Sequence, residues 1–187
     1  DDVTVLCGDL SWGMSLEESL EDFRFINALP GKKILLKGNH DYWWNTAAKM
    51  KRFFAENGLD TFEILHNNCL FYHDMALCGT RGWFYELDNQ GSHNEKVLLR
   101  EIGRLETSLK VAGDRDKLCF LHYPPIYQGY ECPEILHLLK EYDVKACYYG
   151  HLHGASQRRA IEGTRSGTLF SLVSGDFLGF VPKKICE

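Results

Sequence analysis

The chain has 187 residues, 44% hydrophobic and 25% charged, with 21 Lys and Arg against 26 Asp and Glu, for a formal charge of −5. Those proportions exclude a disordered or low-complexity chain and fit a single globular domain spanning 1–187, long enough to bury most of its apolar surface. The acidic balance argues against broad nucleic-acid binding, which shows a basic footprint, and no apolar run approaches the ~20 residues of a membrane span.

In chain order, Val3-Thr4-Val5-Leu6-Cys7 reads as a buried strand that ends in Gly8-Asp9. A helix follows, with Ser15 and Glu18 as a capping box and Leu16, Leu20, Phe23 and Ile26 on one face; Pro30-Gly31 stops it. Lys32 to Leu36 is the next strand, and it ends in Gly38-Asn39-His40-Asp41. Thr46 to Glu56 reads as a helix ended by Asn57-Gly58. The short apolar runs at Phe62, Cys69 and Met75, separated by Asn67-Asn68 and His73-Asp74, suggest antiparallel hairpins.

Gly79-Thr80-Arg81-Gly82-Trp83 reads as a loop, and polar residues continue to Asn94. Glu95 to Ala112 carries the stripe Leu98, Ile102, Leu105 and Leu109 of a long helix. A strand from Leu118 to Leu121 runs into His122, and Pro133 to Tyr142 forms a helix with proline in its first turn. Ala146 to Tyr149 is a strand ending in Gly150-His151-Leu152-His153, and short strands at Gln157–Ile161 and Leu169–Ser174 follow. Strands alternating with helices are the signature of an α/β layered domain. The seven cysteines form no CxxC, and three lie inside strand-like runs, which fits reduced thiols in a cytoplasmic protein.

Four polar clusters thus follow four apolar strands, and in an open α/β sheet such strand ends share one crevice. Asp9 has oxygens able to bridge two cations, although Gly-Asp is also a common turn dipeptide. Asn39 offers a neutral amide oxygen or a turn. His122 and His151 are ligands or satisfied core histidines, while His151 and His153 together can aim two rings into one cleft. Asp, Asn and several His in one crevice make a metal site. His40 need not be a ligand: with Asp41 or another carboxylate fixing its ring it becomes a proton donor, the plain alternative being that Asp41 caps the next helix. Trp12, Trp43, Trp44, Trp83, Phe84 and Tyr123 lie beside these loops, as core and rim packing or as stacking surfaces for a base. Arg81 is placed to meet a second phosphate or to serve as an ion-pair partner.

The order Gly8-Asp9, Gly38-Asn39-His40-Asp41, His122, Gly150-His151-Leu152-His153 resembles the calcineurin-like metallophosphoesterase superfamily, over most of the chain from Gly8 to Gly154. Gly8-Asp9-Leu10-Ser11-Trp12-Gly13, Leu29-Pro30-Gly31-Lys32-Lys33, Gly79-Thr80-Arg81-Gly82-Trp83 and His122-Tyr123-Pro124-Pro125 look like a group of small bacterial phosphoesterases. The resemblance implies a four-layer α/β/β/α sandwich. It also implies two divalent ions (Mn, Fe or Zn) with Asp9 bridging them, Asn39, His122 and His151 on the second and His153 on the first. His40 would be the general acid, Asp41 its orienter, and Trp12 and Arg81 substrate contacts. The implied reaction is hydrolysis of a phosphomonoester or phosphodiester, on a small phosphorylated substrate, by a hydroxide that the two metals activate. Non-catalytic interaction on the same fold, or metal-dependent nuclease action, are the alternatives. One departure stands out: the family's opening Asp-x-His, which supplies ligands of the first metal, has no match before Asp9. His66, His73, His93 and His137 are weak replacements, so a first strand upstream of Asp1 is expected.

Overall fold

The structure, a computed structural model, describes residues 2–83 and 92–186. Strand β1 (Val3–Leu6) leads through a loop to α1 (Leu20–Asn27), then β2 (Lys32–Leu36), α2 (Ala47–Glu56) and β3 (Phe62–Leu65). β4 (Cys69–Tyr72), β5 (Met75–Thr80), α3 (Ser92–Val111) and β6 (Asp116–Leu121) follow. A small hairpin, β7 (Ile126–Tyr127) and β8 (Tyr130–Glu131), precedes α4 (Pro133–Glu141) and β9 (Val144–Tyr149). The described chain closes with β10 (Gly163–Arg165) and β11 (Thr168–Leu172). β1, β2 and β3 form one parallel sheet; β10-β11-β9-β6-β5-β4, in that spatial order, form a second.

Strand alternation explains the layering. Ile34 and Leu36 of β2 point one way and meet Leu118, Phe120, Ala146 and Tyr148 of the second sheet, forming the inter-sheet core. Leu35 and Ile64 point the other way and pack under Phe23, Met50 and Phe54 of α1 and α2. Cys119, Leu121, Cys147 and Tyr149, the alternates in β6 and β9, face Leu105 and Leu109 of α3 and Ile135 and Leu139 of α4. Helices, sheet, sheet and helices therefore stack as four layers.

Three expectations change. The capping-box contacts exist, with Ser15 Oγ accepting from Glu18 N at 3.2 Å and the Glu18 carboxylate accepting from Met14 N at 2.9 Å, but they close a turn rather than start the helix. The Ser19 hydroxyl bonds back to the Ser15 carbonyl at 3.0 Å, competing with the helical ladder, and α1 begins at Leu20. β3 does not pair with β4; it lies parallel to β2, Leu36 opposite Leu65. Asn68, which bonds His66 N and the Ile64 carbonyl at 2.9 and 3.0 Å, turns the chain from one sheet into the other. Residues 157–161 are no strand: Gly154–Arg159 is a 3₁₀ turn, because β10 already occupies the free edge of β11 and the turn's two arginines have no apolar face to bury.

The parallel registers set the strand ends side by side. Leu121 lies opposite Tyr149, and Tyr149 opposite Leu172, so His122, Gly150-His151 and the residues after β11 leave the second sheet together. Leu6 lies opposite Leu35, so Gly8-Asp9 and Gly38-Asn39 leave the first sheet together. Among the described residues no helix is long and apolar enough to cross a membrane.

Candidate metal centre

Two glycines let the strand ends touch. A Cβ on Gly8 would lie 2.6 Å from the Gly38 backbone, and one on Gly38 would fall on the carboxylate and backbone nitrogen of Asp9. Gly38→Ala is therefore expected to destabilise the protein by about 1–3 kcal/mol through overpacking against backbone, measured by urea unfolding. Asp9 itself sits in the left-handed region, with φ 57, and so does His151, with φ 69. For non-glycine residues this costs free energy that the surroundings must hold in place.

The clamp between the two loops is Asp41, 1% exposed. Its Oδ2 accepts from Gly38 N at 2.6 Å and Asp9 N at 2.8 Å; its Oδ1 accepts from Leu10 N at 2.8 Å and the Trp43 indole at 3.0 Å. This corrects the sequence reading. Asp41 serves three backbone N–H groups and an indole, while the His40 ring contacts Tyr42 and Trp12. Asp9 Oδ1 accepts from the His40 backbone at 2.8 Å, leaving Oδ2 toward the crevice.

Four potential ligand atoms converge there. The His122 ring, 1% exposed, approaches the Cys7 carbonyl through Nδ1 at 2.8 Å. A carbonyl only accepts, so Nδ1 holds the proton and Nε2 presents its lone pair. Nε2 lies 2.6 Å from Asn39 Oδ1, 3.2 Å from His151 Nδ1 and 3.5 Å from Asp9 Oδ2. Asn39 Oδ1 is also 2.9 Å from His151 Nδ1. Asn39 presents its amide oxygen, not its NH2 group, to the lone pair of His122 Nε2, which is the arrangement a cation favours. Asp9, His122 and His151 are, among the described residues, the one group of His, Cys, Asp and Glu clustered closely enough to hold an ion.

Burial holds both imidazoles in the neutral, ligand-competent form. It pushes His122 below the ordinary histidine value against the opposing pull of Asp9, and it pushes His151 down to about 4, helped by the neighbouring His122. The unfolded chain takes up these protons near pH 6.5, whereas the native protein refuses them until pH is much lower. Stability of the metal-free protein is thus expected to be full above about pH 6.5 and to fall as pH drops toward 4. His151 contributes on the order of 2 kcal/mol once its partial exposure is allowed for, read from urea midpoints at stepped pH.

His153 stands outside this group. Its Nδ1 lies 2.8 Å from Asp176 Oδ1, and Asp176 also accepts from Gly154 N at 2.9 Å and Phe177 N at 3.1 Å. The hydrogen bond from the Gly154 amide, and to a smaller extent the His153 imidazole, holds the Asp176 carboxyl below its usual range. Asp176 was missed in the sequence, although it obeys the same rule, a Gly-Asp pair shortly after an apolar strand. Arg81 displays the second of its two readings: it pairs with buried Glu101 at 3.7 Å and lies over the Trp83 ring at 4.8 Å. Its backbone carbonyl accepts from His122 N and Tyr123 N at 3.1 and 2.9 Å, tying this loop to the cluster. Trp12 is 74% exposed and stacks on His40, Trp43 is core, and Phe84 and the His93 side chain lie outside the described residues.

The model of the family described as calcineurin-like phosphoesterase matches residues 1–155. The chain belongs to that family. Membership points to metal-dependent phosphoester hydrolysis, and the Asp9, His122 and His151 cluster is where the family member's fold offers an ion its ligands. A solved structure, 13% identical, superposes with a TM-score of 0.56 over 90% of this chain and 78% of its own. The crystal structure of TT1561 of Thermus thermophilus, 16% identical, gives 0.50 over 81% and 70%. At these identities the likeness is one of fold. A comparison with curated proteins finds no significant match.

Proposed function

We propose that this calcineurin-like phosphoesterase hydrolyses a phosphomonoester or phosphodiester on a small phosphorylated substrate, using two divalent cations. The observation that carries this reading is the convergence of Asn39 Oδ1, His122 Nε2, His151 Nδ1 and Asp9 Oδ2, four potential ligand atoms, on one crevice. Asp9, Asn39, His122 and His151 would hold one cation; Asp9 and His153 would contribute to the other. Bound cations supply Lewis-acid polarisation of phosphoryl oxygens and lower the pKa of coordinated water.

The chain's own residues do the rest. His122 and His151 are held neutral and ligand-competent, and the Cys7 carbonyl fixes Nε2 as the nitrogen of His122 that carries the lone pair. Asp9 brings the negative charge that a dication needs. His40, beside the cluster on the same loop as Asn39, delivers a proton to the leaving oxygen. Asp41 keeps the two loops in register.

The test is turnover of chromogenic phosphomonoesters and phosphodiesters with added Mn²⁺. Chelator is expected to abolish turnover, and His40→Ala to reduce turnover of an alkyl ester, whose leaving oxygen needs the proton, by about 10²-fold or more. Full turnover by His40→Ala would remove His40 from its role. Metal-loaded protein inert toward both ester classes would instead favour a non-catalytic interaction module.

A further inference from the structure

We propose that Tyr42, together with Trp12, is the positioning residue of His40. This rests on the reading of His40 as proton donor, and it fills the part that the sequence assigned to Asp41. Asp41 has committed both oxygens to four N–H groups. The chain turns tightly at this point, with Tyr42 N donating to the His40 carbonyl at 2.8 Å, and the turn brings the phenol to the imidazole. Tyr42 OH lies 3.3 Å from His40 Nδ1, and the two rings meet edge-on, 6.0 Å apart at 78°. Against a face of the same imidazole the Trp12 indole stacks at 4.6 Å and 25°.

These two contacts remove different freedoms. The indole stack fixes the plane of the imidazole. The hydroxyl fixes which edge of the ring turns away from Tyr42. Between two neutral partners a phenol is the better donor and an imidazole nitrogen the better acceptor, so the hydroxyl donates to Nδ1. In the resting neutral ring the proton then resides on Nε2; in the imidazolium that acts as the acid the hydroxyl accepts from Nδ1–H instead, and Nε2–H is again the edge left to meet a leaving oxygen. Neither aromatic has a core role to explain its presence: Trp12 is 74% and Tyr42 51% exposed, in a chain that buries Trp43 almost completely. Large aromatic faces kept at the surface on both sides of one histidine are accounted for by the histidine they hold.

The experiment is Tyr42→Phe, which keeps the ring and deletes only the hydroxyl. Nitrogen-15 NMR of the chelator-treated protein reads the His40 ring directly, without need of metal or substrate. The expected result is that Nδ1 moves toward the resonance of an unbonded imidazole nitrogen and the Nε2–H tautomer loses its dominance. In the Mn²⁺-loaded protein, kcat for an alkyl phosphoester, whose leaving oxygen needs a proton, is expected to fall about tenfold with KM unchanged, while the 4-nitrophenyl ester is scarcely affected. A role in folding alone would change both esters together. Unchanged His40 nitrogen resonances, or an unchanged alkyl-to-aryl rate ratio in an active enzyme, would overturn the proposal. Failure of the underlying reading is recognised separately: His40→Ala would then hydrolyse the alkyl ester at full rate, whatever the NMR of Tyr42→Phe shows.

Discussion

Asp41→Ala is expected to cost about 3–5 kcal/mol of stability, far more than removal of the His40 ring next to it. The buried carboxylate holds Gly38 N, Asp9 N, Leu10 N and the Trp43 indole. Its loss leaves three backbone donors and one side-chain donor short of an acceptor, in a pocket where Asp41 is only 1% exposed. Each unsatisfied buried donor costs about 1–3 kcal/mol, and water entering the vacated space returns part of that sum. Asp41→Asn keeps the volume but turns an NH2 group toward an N–H group, for about 2 kcal/mol. His40→Ala should stay within about 0.5 kcal/mol of the parent, because Asp9 binds the backbone of His40 and not its ring. Urea unfolding of the three variants measures the order. If Asp41→Ala unfolded like the parent and lost only turnover, Asp41 would be a ring orienter after all.

That contrast marks where the sequence was readable. Strand ends, the glycines that allow close approach, and the residue types of the cluster are local and periodic properties. They placed Asp9, Asn39, His122 and His151 together before any coordinates did. The layering was readable for the same reason, since alternation along β2, β6 and β9 names both faces of each sheet. The labour of Asp41 was hidden because its partners, Asp9 N and Leu10 N, are 32 and 31 residues distant and are backbone groups, which every residue possesses. Tyr42 was hidden because a tyrosine two residues after a histidine has no signature until a turn brings the rings together. The pairing of β3 was misread because a short apolar run followed by Asn-Asn looks the same whether the chain folds back or crosses to the other sheet.

Asp9→Asn is expected to shift stabilisation of the protein by divalent cations to metal concentrations about two decades higher. A ligand that binds the native state and not the unfolded one stabilises by RT ln(1 + [L]/Kd), about 2.7 kcal/mol at a hundredfold excess over Kd. The native chain is built to collect that energy. His122 Nε2, His151 Nδ1 and Asn39 Oδ1 face one another across 2.6–3.2 Å, ligand atoms already gathered for a cation. Asp9 Oδ2, 3.5 Å from His122 Nε2, supplies the only formal negative charge in that set. Asparagine at position 9 preserves the acceptor for His40 N and removes the charge, so the loop should remain folded while its attraction for a dication collapses. Loss of a ligand should exceed the 10–100-fold that loss of a supporting partner costs in metal affinity. Chelator-treated parent and Asp9→Asn would be unfolded by heat or urea across a Mn²⁺ or Zn²⁺ series, with calorimetric titration alongside. The parent's midpoint should climb with metal concentration; that of the variant should stay flat until concentrations about two decades higher. A variant that gained as much stability as the parent would show that the ion binds elsewhere. The proposal of a cation at the meeting point of the two sheets would then fail at its root.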